Sequence, residues 1–89
     1  MSMGGVFLYY ILYRSITFAT RIKNYFRYDG DYVSVVHTPS QISPTGCSYS
    51  VVVKKEKVDE VLGISADFGY KILGVFEEVG RGKFTEVHR

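Results

Sequence analysis

The sequence predicts an α+β domain, and three observations carry that reading. Two stretches with the 3.6-residue period of a helix alternate with short runs of β-branched and aromatic residues. A serine, Ser15, stands where the first helix needs a cap. A loop at 37–48, holding both prolines and the single cysteine, divides the chain into two halves that each read strand–helix–strand.

The elements follow in order. Val6–Tyr13 (VFLYYILY) is the most apolar run; it is far short of the roughly 20 residues that cross a bilayer and reads as a buried central strand. Met-Ser-Met-Gly-Gly before it and Arg14 after it do not resemble the flanks of a signal peptide. In the helix that Ser15 opens, Phe18, Ala19, Ile22, Tyr25 and Phe26 share one stripe, with Ile16 the apolar outlier. Asp29-Gly30 ends it. Tyr32–Val36 and Ser48–Val53 are β-branched runs on either side of the loop, hence the second and third strands. The second helix, about Glu56 to Phe68, turns Val58, Val61, Leu62, Ser65 and Phe68 inward. It has no capping side chain, and Gly63 in its interior costs up to about 1 kcal/mol relative to Ala. Gly69 closes it, and Tyr70–Val79 is the fourth strand.

The order β-α-β-β-α-β predicts a ferredoxin-like sandwich: a four-stranded antiparallel sheet with two helices on one face and, with right-handed crossovers, the strand order 4-1-3-2. One domain is expected over 1–89, with its core at about 5–79. Residues 80–89 form a tail or a short extra hairpin through Gly80-Arg81-Gly82 to Phe84–Val87. The helix-free face, with aromatic residues alternating along the first strand, is expected to be covered by a partner, as in a homodimer through the sheet, or by the tail.

Composition narrows the function. Eleven Lys and Arg against nine Asp and Glu leave a net charge of +2, which gives no electrostatic footprint for nucleic acid or an anionic membrane. Modules of this topology bind RNA by stacking bases on sheet aromatics, but Ser48–Val53 offers one aromatic, Tyr49. Nucleic acid is therefore disfavoured, and no membrane association is expected. A single cysteine forms no internal disulfide, which fits a reducing, cytoplasmic setting. No phosphate-binding or dinucleotide fingerprint is present, and neither a metal nor a resident cofactor is expected.

The loop is where chemistry concentrates. Its ends are expected at the edge of the sheet where the first strand ends and the first helix begins, bringing Cys47 near exposed N–H groups and a positive helix end. There a thiol loses its proton more easily than a free one at about 8.5. Arg14 adds a cation; Ser15, Ser43, Thr45 and Ser48 offer hydroxyls; Gly46 lets the backbone approach a ligand. His37 lies at the same edge and pairs with Cys47 only if the loop folds back on it; alone it lacks the companions of a metal ligand. The plainer reading of Cys47 is a small, half-buried residue opening a strand.

With Leu12-Tyr13-Arg14-Ser15, Ala19, Thr38-Pro39, the Ser-rich loop ending in Cys47 and Gly74-Val75-Phe76-Glu77 in this order, the chain resembles the small bacterial selenium/sulfur carrier-like proteins from about Tyr9 to Val79. It departs from their pattern at Ser40, where they have a basic residue, and in placing Gly46 before the cysteine rather than after it. The resemblance implies a carrier, not a turnover enzyme. It would hold a persulfide or selenopersulfide on Cys47 and exchange it with donor and acceptor proteins. The alternative is a non-catalytic binding or dimerisation module using the aromatic sheet face.

Overall fold

The computed structural model of the chain describes residues 8–26, 33–43 and 48–87. Its elements are β1 (Leu8–Tyr13), α1 (Ile16–Tyr25), β2 (Val33–His37), β3 (Tyr49–Lys54), α2 (Lys55–Asp67), β4 (Ile72–Gly80) and β5 (Lys83–Glu86). All strand pairs are antiparallel, and β1 lies between β3 and β4. The expected four-stranded ferredoxin-like sheet is corrected: there are five strands, in the order β2-β3-β1-β4-β5. Read from β4 to β2, the first four stand 4-1-3-2, and β5 extends the sheet beyond β4. The cause is the two-residue turn Arg81-Gly82. With Gly82 at φ +70, the chain doubles back so that Glu86 faces Phe76.

The helices form their ends as their sequences dictate. Ser15 sits in extended backbone and its hydroxyl accepts from the Thr17 N–H at 3.1 Å, capping α1. The helix ends at Tyr25 with Phe26 as its cap; Asp29-Gly30 lie outside the described residues. Lys54 precedes α2 without a side-chain cap. At the other end, the Gly69 N–H donates to the Ala66 carbonyl and the Tyr70 N–H to that of Ser65, a Schellman closure that requires the left-handed Gly69, φ +74. One substitution therefore has opposite signs at two glycines. A Cβ on Gly63 meets nothing within 4 Å, so Gly63→Ala is expected to stabilise by about 0.5–1 kcal/mol. Gly69→Ala is expected to cost about 1 kcal/mol or more, because Ala resists positive φ. Urea denaturation of both variants checks the pair.

Between the helices and the sheet, Tyr9, Ile11, Tyr13, Val51, Val53 and Val75 meet Ala19, Ile22, Phe26, Val58, Val61 and Ile64 in the main core. Two residues assigned to inner stripes are outside it. Tyr25 is 57% and Phe68 47% exposed, their rings 6.4 Å apart; Phe68 follows α2 as its cap, and Ile64 takes the inner place.

The helix-free face, expected to be covered by a partner or by the tail, is partly closed by the chain itself. Leu12, Ser50 and Val52 point to it, as the alternation along β1 and β3 requires, yet they are 0%, 0% and 3% exposed. Two segments of the chain fold over this face. The Thr38 and Ser50 hydroxyls bond at 2.7 Å, drawing in the start of the loop, while the Phe84 ring meets Tyr10 edge-on at 5.3 Å, drawing in the hairpin. The segments touch: a Cβ on Gly82 would stand 3.7 Å from the Gln41 amide nitrogen. Register shifts at Leu12/Tyr13 and Glu78/Gly80 add the twist that lets the hairpin curl.

Candidate functional site

The register assembles the site's frame. Across the sheet His37 pairs with Tyr49, and Tyr49 with Tyr13, so the end of β2, the start of β3 and the end of β1 form one row. Arg14 and Ser15 continue directly from Tyr13, which sets the capped start of α1 at the same edge as both ends of the loop. Neighbouring strands stand about 4.8 Å apart, so this row is short.

The loop is fastened at its base. The Thr38 N–H donates to the Ser48 carbonyl at 3.0 Å, and the Ile42 N–H to that of Pro39 at 3.0 Å in a tight turn. The Ser43 and Ser48 hydroxyls bond at 3.3 Å, and Ser48 is 1% exposed. Thus Ser43 and Ser48, both expected as site hydroxyls, are bonded to each other, and the hydroxyl of Ser15 is engaged as the helix cap. Arg14 is exposed. Thr45, Gly46 and Cys47 lie outside the described residues.

His37 is exposed, and its ring rests 4.7 Å from that of Tyr49, tilted by 52°. Tyr49 is a neighbour the sequence did not single out; its position one residue into a strand paired with His37 was the available signal. Among the described residues no cluster of three His, Cys, Asp or Glu side chains forms a metal site, and no helix is long and apolar enough to cross a membrane.

Tyr13 anchors the row from below. It is wholly buried and shares a 2.5 Å hydrogen bond with Ser65 of α2. Ser65 gives its one proton to the Val61 carbonyl at 2.8 Å, so the tyrosine donates. Burial pushes the phenol up to about 12. The phenol is therefore a neutral, fixed donor that ties β1 to α2 beneath the loop's edge.

Residues 8–77 match the family described as "Putative Se/S carrier protein-like". The chain belongs to this family. Neither a curated protein nor a solved structure matches it. The match takes in β1 through most of β4 and the whole loop, and stops short of β5. The family member thus carries its hairpin closure beyond the matched region.

Proposed function

We propose that this chain carries sulfur or selenium on Cys47 and passes it to a partner enzyme in a reducing, cytoplasmic setting. The observation that supports it best is the row His37–Tyr49–Tyr13, which brings both ends of the family's cysteine loop to the Ser15-capped start of a helix. A thiolate is the reactive form of a thiol, and a positive helix end with Arg14 nearby favours it.

In loading, the Cys47 thiolate attacks the outer sulfur of a donor persulfide. A new S–S bond forms at Cys47, the donor's S–S bond breaks, and the electron pair leaves on the donor thiolate. Delivery repeats the exchange, with the acceptor's thiolate attacking the outer sulfur and the Cys47 thiolate leaving. No net oxidant is consumed, and no second cysteine is needed. A selenopersulfide exchanges in the same way. Ser40 and Gln41 are exposed at the turn of the same loop.

Intact mass spectrometry tests this on protein isolated without reductant and on protein incubated with a small-molecule persulfide. The expected result is an increment of one sulfur or selenium atom, reversed by a thiol and lost completely in Cys47→Ser. An unmodified wild type after both treatments, or an increment that survives in the serine variant, refutes the proposal.

A further inference from the structure

The two edges of the sheet are built differently. β5 is four residues long, carries Lys83 and Glu86 and follows a register shift, which are the usual devices against pairing with another strand. β2, at the other edge, reads Val33-Ser34-Val35-Val36-His37, with no Lys, Asp, Glu, Pro or Gly. Among the described residues no strand lies beyond it.

The backbone phase of that edge is fixed by one bond. The Thr38 N–H reaches the Ser48 carbonyl, and the register continues through Val36↔Ser50 and Ser34↔Val52. In an antiparallel ladder, alternate residues bond to the same neighbour, so Ser34 and Val36 face β3 while Val33, Val35 and His37 direct their N–H and C=O groups outward. We propose that this edge pairs with β2 of a second copy of the chain about a two-fold axis at Val35. Val35 then meets Val35 of the partner, and Val33 meets His37. Every outward group finds an outward group, and no charged residue stands opposite another.

The helix layer supports the same arrangement. Specific interfaces bury roughly 1,200–2,000 Å² in total, more than one five-residue strand pair supplies, so a second contact is needed. α1 packs mainly on β3, with β2 and β1 to either side, so its axis lies about one strand spacing inside β2. With strands about 4.8 Å apart, two such axes related by the pairing stand roughly 14 Å apart, within reach of long side chains on their facing sides. On α1, Phe18, Arg21 and Tyr25 turn toward Tyr70 and Phe68, while Ala19, Ile22 and Phe26 face the sheet. The remaining side, toward the free edge, carries Ile16, Thr20 and Lys23. Ile16 is the exposed apolar residue there, at 51%. Pairing turns it toward the partner's α1. This surface meets the cysteine loop only at His37 and is separate from the half-closed sheet face, and the pairing uses no chemistry of Cys47, so it stands whether or not Cys47 carries a chalcogen.

Sedimentation velocity and amide hydrogen exchange on the full chain test it. A reversible dimer is expected, with the amides of Val33, Val35 and His37 slowing as concentration rises while those of Ser34 and Val36 stay protected throughout. Val35→Pro removes an outward N–H, which an edge strand tolerates, and alters a half-buried side chain packed against the core; it is expected to weaken dimerisation about ten-fold or more with the fold intact by circular dichroism. Ile16→Ala, at an exposed helix position, is expected to weaken it several-fold. A monomer at every concentration overturns the proposal. So does a dimer whose odd-numbered β2 amides exchange freely, or one that neither substitution affects.

Discussion

Replacing Leu12 by alanine is expected to cost about 2–5 kcal/mol, the range for emptying a close-packed core site. On an open sheet face the same change would cost far less, because an exposed Leu loses little on truncation. Leu12 is on the helix-free side and yet is wholly buried, paired across the sheet with Ser50 and Gly74. Gly74 leaves room for the Phe76 ring: a Cβ there would meet the ring at 3.1 Å. The hairpin's Phe84 and the Thr38–Ser50 bond close the region from two sides. Leu12→Ala therefore opens a cavity under the base of the cysteine loop. Urea denaturation measures the loss, with Ile11→Ala on the helix side as the reference. Comparable losses at the two adjacent positions establish two cores back to back. A cost below about 1 kcal/mol at Leu12 would mean that the closure contributes nothing.

Much of this architecture was legible in the sequence because it rests on local chemistry. The apolar run ending at Tyr13, the capping Ser15, the β-branched strands and Gly69 each specify their element with little help from the rest of the chain. What the sequence did not show is what depends on long-range return of the chain. Leu12 and Tyr10 alternate with Ile11 and Tyr9 as on any strand, and nothing local decides between a partner and the tail as the cover for this face; the Tyr10 hydroxyl reaches Glu78 across a separation of 68 residues. Tyr25 and Phe68 failed for a related reason. A helical stripe gives an angle but not its limits, and at the ends of two neighbouring helices both rings found each other at the surface instead of the core. In the site, the edge row was foreseeable from topology alone. The bonding of Ser43 to Ser48 was not, since a loop with several hydroxyls does not by its sequence single out one pair.

Tyr13→Phe is expected to reverse its effect on stability between neutral and alkaline pH. At neutral pH the phenol donates to Ser65, and losing one buried hydrogen bond costs about 1 kcal/mol. The cost is not larger because Ser65 keeps its own acceptor at Val61. In alkali the sign changes. The phenol ionises near 10 when the chain is unfolded but only near 12 in the fold, where burial opposes the charge. Between those values the folded chain holds a proton that the unfolded chain has released, so the native state binds more protons and stability falls as pH rises. The slope reaches about 1.4 kcal/mol per pH unit, amounting to about 2 kcal/mol by pH 12. Phenylalanine has no such penalty. The stability curves of the two proteins should therefore cross between about pH 10 and 11, with the variant the more stable above the crossing. Chemical denaturation of both across the alkaline range measures the difference, in which the other tyrosines cancel. Parallel curves would place the Tyr13 hydroxyl in water and break the link between β1 and α2 on which the loop's edge rests.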